Sequence, residues 1–329
     1  MSAAPTTIEI GIPGDRIRVP RIGLGAMGLS TIYGVPDDDE SIKVLNHAID
    51  IGCTFWDTAN LYGLGHNERL LSRVLKERRN EVFLCTKFGV VFEEPEPGFN
   101  GFFGPHITGI SGKPEYVRKC AEESLQRLGV DKIDLYYMHR VDPKTPIEET
   151  VGAMAELVKE GKVHYLGLSG CTADEVRRAY KVHPIAAVEV EYNAWSISIE
   201  TNGLLDVCHE LGITLVAHSP LGSGFLTGQI RSINDLPVED MRHRLPQFKL
   251  DNFASNFKLV EAFERIAGSH GYMPAQFAIA WLLAQSANII AIPGTKRIKY
   301  LEENFAAGQI KMTEEELKEL RSLISNSKH

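Results

Sequence analysis

The sequence predicts a (β/α)8 TIM barrel forming one domain over residues 1–329, on three observations. Short apolar, β-branched runs recur eight times along the chain, and helix-length patterns separate them. The runs are apolar throughout rather than strictly alternating, as expected of a parallel sheet covered on its outside. Eight such strands close a barrel. An open doubly wound sheet is the alternative arrangement of the same elements.

In chain order, TIEIGIPGDRIRVP comes first, two strand-like pieces around PGD that read as a hairpin over 8–19 capping the barrel floor. The barrel strands are RIGLG (21–25), CTFWDT (53–58), VFLCTK (82–87), IDLYYMH (133–139), HYLGLS (164–169), AAVEVEY (186–192), TLVAHS (214–219) and NIIAIP (288–293). Helical patterns include ESIKVLNHAIDIG, KPEYVRKCAEESLQRLG, TPIEETVGAMAELVKEGK and TADEVRRAY. Glycines at 52, 129, 161 and 212 stand where a helix ends in a left-handed residue. GLGAMG at 23–28 matches a dinucleotide fingerprint only weakly, lacking a good helix start and an acidic residue at the expected distance. Two connections are long, 88–114 after strand three and 220–256 after strand seven, and loops of that length usually serve a function.

Composition bounds the function. Hydrophobic residues at 43% and charged residues at 24% give a chain able to bury a sizeable core. A net charge of -8 without a basic block disfavours nucleic acid or an anionic membrane as the main partner. Five scattered cysteines without a CxxC pair suit a reducing compartment. The opening MSAAPTTIEIG lacks a basic stretch followed by an apolar core, so no leader is expected there, and no apolar run approaches the ~18 residues of a membrane span. A cytoplasmic protein is expected.

Residues two apart on a strand share a face. Counting back from Asp57 gives Phe55 and Cys53, from Lys87 Cys85 and Phe83, from His139 Tyr137 and Leu135, and from Ser169 Gly167 and Tyr165. Each polar residue ends a mostly apolar or small face, which puts Asp57, Lys87, His139 and Ser169 at the carboxyl mouth, where barrel active sites lie. Tyr62 follows on the next loop. A lysine beside an aspartate stays charged, and its field is expected to lower the Tyr62 pKa from about 10. A neighbouring histidine can hydrogen bond a carbonyl oxygen, so the group suits carbonyl reduction. Taken singly, an ion pair, a satisfied core histidine and a loop tyrosine are structural residues; together on one rim they point to catalysis.

These residues, with RIGLGAMG, WDTANLYG, TKFG, LYYMHRVD, GKVHYLGLS, VEVEYN, SPLGSGFLTG and IPGTKRIKYLEENFAA in order, resemble the aldo-keto reductase family nearly end to end. HRVDP and the following helix resemble the branch holding plant perakine reductase and microbial aldehyde reductases. The resemblance implies NADPH bound without a Rossmann fold, a small-molecule carbonyl substrate, no metal, and a catalytic tetrad of Asp57, Tyr62, Lys87 and His139. For the nicotinamide it implies Ser169, with Gly170 and Glu189 replacing an Asn and a Gln, and His218 in HSPLG replacing a stacking tyrosine. Imidazole there is expected to titrate near neutral pH. Ser219, Leu221, Gly222, Ser223 and Gly224 are implied at the pyrophosphate, Gly294, Thr295 and Lys296 at the 2'-phosphate end, and Glu303 and Asn304 at adenine. Substrate-wall candidates are Tyr33, Trp56, Phe88 and Phe92, with Phe102, Phe103 and Trp195 behind them. Two other readings compete: a nicotinamide-binding regulatory subunit with little turnover, as in potassium-channel β subunits of this fold, and a metal-dependent barrel enzyme using His139, His218, Glu191 and Asp57. Lys87 and the lack of an HxH pair oppose the second.

Overall fold

A computed structural model describes residues 6–30, 36–93, 106–238 and 240–325. The chain opens on β1 (Thr7–Ile12) and β2 (Asp15–Pro20), paired antiparallel with Ile10 opposite Ile17, so the hairpin predicted from PGD forms around that turn. The remaining elements follow in order: β3 (Leu24–Gly25), α1 (Asp38–Asp50), β4 (Phe55–Asp57), α2 (His66–Arg78), β5 (Phe83–Phe88), β6 (Val90–Glu93), β7 (His106–Ile110), α3 (Pro114–Leu128), β8 (Ile133–Met138), α4 (Ile147–Lys159), β9 (Val163–Ser169), α5 (Ala173–Val182), β10 (Ala187–Glu191), α6 (Leu204–Leu211), β11 (Thr214–His218), α7 (Leu250–Ser269), α8 (Pro274–Ala284), β12 (Ile289–Ala291), α9 (Ile298–Ala306) and α10 (Glu314–Ser325).

Eight of these strands form one parallel sheet in the order β12-β11-β10-β9-β8-β5-β4-β3. Its two ends meet: Ile22 bridges Ala291, Gly23 N–H donates to the Ala291 carbonyl at 2.8 Å, and Ala291 N–H returns to Arg21 at 2.9 Å. The sheet is therefore a closed barrel, as the eight runs predicted. Glycine is needed at this seam, because a Cβ on Gly25 would stand 2.7 Å from the Ile292 carbonyl oxygen.

Two hydrophobic clusters follow from the period of two along each strand. Outward residues such as Leu84, Tyr136, Leu166 and Val188 pack against the helices. Inward residues, Phe55, Phe83, Cys85, Leu135, Tyr137, Tyr165, Ala187, Val216 and Ile290, fill the barrel together with Ile10 and Val19 of the hairpin. The hairpin thus plugs the floor. Cys53, counted with Phe55 from the sequence, precedes β4 and belongs to the outer cluster. All five cysteines are free, four of them buried. Among the described residues no helix is long and apolar enough to cross a membrane.

Both long connections carry structure of their own. After β5 the chain forms the β6–β7 hairpin, with 94–105 outside the described residues. After β11 it runs through short 3-10 turns, and α7 begins at Leu250, inside the 220–256 stretch that the sequence predicts as a connection. The reason is aromatic: Phe253 and Phe257, one helical turn apart, both pack on Phe225 at centroid distances of 4.8 and 6.5 Å.

Candidate active site

β4, β5, β8, β9, β10 and β11 all end at the same mouth, and the last inward side chain of each is polar. Lys87 is the centre. It is fully buried, and its ammonium donates to the Asp57 carboxylate and, at 3.0 Å, to the Thr58 carbonyl. Tyr62 Oη lies 3.4 Å from the same nitrogen. Glu189 Oε2 stands 3.3 Å away without a directed hydrogen bond. The His139 ring meets Tyr62 edge-on, centroids 6.0 Å apart. Asp57, Tyr62, Lys87 and His139 are therefore brought together as the sequence predicted.

The shell around them is built from α2. Thr58 donates to Asn67 Oδ1 at 2.6 Å, and Asn67 Nδ2 donates to the Ala26 carbonyl and to Ser30 Oγ at 2.9 and 2.8 Å. Asn67 N–H donates to the Tyr62 carbonyl at 3.2 Å, fixing the turn that aims the phenol. Glu68 accepts from Thr86, next to Lys87, at 2.7 Å and from Arg127 at 2.6 Å. The sequence does not reveal these supports, because Asn67 and Glu68 act through contacts to Ala26, Ser30, Thr86 and Arg127, 18 to 59 residues away.

Electrostatics correct two expectations. Burial acts most strongly on Tyr62, Lys87 opposes it, and the net result is a pKa raised above the usual tyrosine value, not lowered. The phenol is a firmly protonated donor. His218 is pushed down to about 4 by burial and then by Lys87 and Arg140, so it does not titrate near neutrality. His139 is likewise held well below its ordinary value, by burial first and then Lys87, and its Nδ1 is buried without a partner. Lys87 itself is disfavoured by burial, yet the opposing charge around it, that of Asp57 first, outweighs burial and holds it charged.

The turn after β11 has an unusual backbone. Ser219, Gly222, Ser223 and Gly224 are all left-handed, with φ of 52°, 55°, 55° and 90°. Two are serines, for which that conformation is costly and persists only where the surroundings enforce it. Enforcement is visible: Asn193 Nδ2 donates to the Ser219 carbonyl at 3.0 Å, Arg242 to that of Ser223 at 3.2 Å, and a Cβ on Gly222 would meet the Trp195 ring at 2.7 Å. Leu221 lies between these residues, and His218 Nδ1 pairs with Ser219 Oγ at 3.2 Å. Across the barrel seam, Gly294 packs against the Gly25 carbonyl, and Thr295 Oγ1 accepts from Arg297 N–H at 3.1 Å to start α9. Lys296 precedes that helix, Glu303 lies 3.8 Å from Lys299, and Asn304 is buried beneath. Ser169 ends β9 in register with Glu189.

The substrate-wall candidates divide. Trp56 and Phe88 are fully buried in the outer cluster, Trp56 donating to the Cys53 carbonyl at 3.0 Å and Phe88 stacked on Tyr136 at 4.9 Å. They face the helices and cannot line the mouth, because each neighbours an inward residue on its strand. Trp195 packs edge-on against Phe225 at 4.5 Å as a core residue. Phe92 is half-buried on β6, next to the mouth in sequence. Tyr33, Phe102 and Phe103 lie outside the described residues. Sequence reading missed Arg140, which follows His139 and lays its guanidinium over Gly170, within 2.7 Å of where a Cβ there would stand.

Comparison with known proteins agrees with this geometry. The family model described as "Aldo/keto reductase family" matches residues 21–325. The chain is 49% identical over 319 residues to Aldo-keto reductase str7 of Strobilurus tenacellus, covering 94% of this chain and 90% of that one. It is 45% identical over 313 residues to Aldo-keto reductase yakc [NADP(+)] of Schizosaccharomyces pombe, covering 94% and 89%. Among solved structures, the glycerol dehydrogenase AKR11B4 from Gluconobacter oxydans superposes with a TM-score of 0.87 at 28% identity over 97% of this chain and 95% of that one. The thermostable aldo-keto reductase Tm1743, solved with the inhibitor epalrestat, gives 0.74 at 33% identity over 96% and 99%. With a closed eight-stranded barrel, a buried Lys-Asp pair under a tyrosine at its mouth, and a family match over nearly the whole chain, this protein belongs to the aldo/keto reductase family.

Proposed function

We propose that this oxidoreductase reduces aldehydes, and ketones that fit the same mouth, to alcohols with NADPH, Tyr62 acting as the general acid. The observation that carries the reading is the buried Lys87 ammonium standing between Asp57 and Tyr62, 3.4 Å from the phenol oxygen. The cofactor preference is supported by the relative named for NADP(+) and by Lys296 at the start of α9. The residues fit such a group: left-handed Ser219, Gly222, Ser223 and Gly224 form a turn of the kind whose backbone N–H groups can meet a phosphate, and Thr295 and Lys296 place a hydroxyl and a cation at the other side of the seam.

Bound NADPH supplies the hydride that reduces the carbonyl carbon. The chain's own residues handle the oxygen. Tyr62 donates its proton to that oxygen as charge develops, and Lys87 stabilises the phenolate left behind. Asp57 keeps Lys87 charged and fixed. His139, neutral and with a free ring nitrogen, orients the carbonyl oxygen toward Tyr62. Among the described wall candidates, Phe92 is the one not packed into the core, and it is proposed to border the substrate.

The test follows NADPH absorbance with purified protein and aromatic, aliphatic and pyridoxal-type aldehydes, alongside Tyr62→Phe. Reduction that falls about 10^2 to 10^4-fold in kcat in the variant, with cofactor affinity kept, supports the assignment. Tight NADPH binding without turnover of any carbonyl would sink it in favour of the regulatory-subunit reading.

A further inference from the structure

Two carboxyl groups share the Lys87 ammonium in a fully buried site. Asp57 takes the hydrogen bond, and Glu189 Oε2 sits 3.3 Å from the same nitrogen. One oxygen of each carboxyl, Asp57 Oδ2 and Glu189 Oε2, is buried with no donor. One cation cannot compensate two adjacent buried anions, and like charges sharing a site force one group to keep its proton. A proton on one carboxyl also gives the pair the donor it lacks. Asp57 holds the directed bond to Lys87, so the proton belongs to Glu189. A carboxylic acid then offers one donor and one acceptor, as the glutamine expected at this position would.

We propose that Glu189 is a protonated acid at neutral pH, hydrogen bonded to Asp57, and that its ionisation sets the alkaline limit of carbonyl reduction by acting on Tyr62 through Lys87. Glu189 is a positioning residue in this scheme, and the kinetic half of the inference rests on the proposed reductase activity.

The surroundings agree. Burial, and then the Asp57 charge, raise Glu189 to about 8 against the opposing pull of Lys87. The titratable groups facing it besides Asp57 and Lys87 are Cys85 from β5, Tyr137 from β8 and Tyr62 on the loop after β4, all held neutral by burial. Its strand neighbours in register, Ser169 and Val216, carry no charge. Below the transition the triad of Lys87, Asp57 and Glu189 is neutral as a set. Above it the set carries one negative charge, which opposes formation of the Tyr62 phenolate and slows reduction.

Infrared spectra of the unliganded full chain test the proton directly. A protonated-carboxyl carbonyl band is expected in the wild type at pH 6.5, lost by pH 9.5, and absent from Glu189→Gln at both. No such band in the wild type, or its persistence in Glu189→Gln, overturns the assignment whatever the activity. In case the variant does not fold, the glutamate carboxyl carbons of labelled wild type provide the same decision: one resonance titrates near 8 apart from those near the ordinary 4.5, or none does and the proposal fails. The second readout is the ratio of kcat for aldehyde reduction at pH 7 to that at pH 9.5, about 10-fold in the wild type and near 1 in Glu189→Gln. A ratio that the substitution leaves unchanged overturns the link to Tyr62 while leaving the proton in place. If no carbonyl is reduced at any pH, the functional reading fails and the spectra still decide Glu189.

Discussion

The floor and the mouth of this barrel are made by the same strands, two to four residues apart, and could hardly differ more. At the floor Phe55 stacks on Phe83 at 5.3 Å and Phe83 on Tyr165 at 6.3 Å, with Ile10 and Val19 of the hairpin closing over them. At the mouth the last inward residues of the same strands are Asp57, Lys87 and Ser169, joined by Glu189 from β10. The floor gains from burying apolar area. The mouth costs stability, because a buried charge cluster does not repay its desolvation as well as apolar packing does. Fold and chemistry are thus separated along one axis, and the dry floor supplies the rigidity on which the charged rim is held.

Substitutions at the two ends should separate stability from turnover. Lys87→Met should have the largest effect: it removes the cation that Asp57 and Glu189 share, costing about 3–5 kcal/mol of folding stability at pH 8 as well as nearly all activity. Denaturant unfolding beside a turnover assay checks both, and a stable variant would mean that the carboxyls readily protonate in place. Phe55→Ala should cost a similar 3–5 kcal/mol from its cavity while the folded fraction keeps its kcat within about twofold. A large kcat loss in fully folded Phe55→Ala would erase the distinction between the two ends.

A smaller effect is expected at the seam. Lys296→Ala should weaken NADPH about 10–100-fold, the scale of a lost charged hydrogen bond, and leave NADH nearly unaffected. Equal losses in titrations with both nucleotides would remove Lys296 from the 2'-phosphate. The smallest concerns the mouth histidines. With His139 and His218 both held below ordinary values, kcat should change less than about twofold between pH 6 and 7.5. Stability has a definite sign here: His218 binds its proton more readily unfolded, so its contribution is present above about 6.5 and is lost as pH falls toward 4. Thermal melts of wild type and His218→Phe over that window should converge at neutral pH and separate in acid.

How far the sequence reaches is clearest strand by strand. Asp57 and Lys87 could be placed at the mouth from the run of apolar residues before them, since a period of two leaves one choice of face. The same rule already assigned Trp56 and Phe88 to the outer layer, and their aromatic character drew them to the substrate wall against it. Left-handed stops such as Gly129 and Gly212 were equally local and end α3 and α6 as expected. By contrast, the start of α7 at Leu250 depended on Phe225, 25 residues earlier, and the anchoring of Asn67 to Ala26 and Ser30 depended on how α2 packs back against the turn after β3.

By itself, then, the sequence determined the strand count, the faces of the strands, the hairpin and the four residues under the mouth, because each rests on short-range periodicity or on motif order. Only the tertiary structure decided which charges meet. That Glu189 lies against Lys87, that Arg140 covers Gly170, and that burial is the largest influence on Tyr62 and His218 are all consequences of barrel closure. Closure brings strands separated by tens of residues within a few ångströms and removes the water that would otherwise screen them.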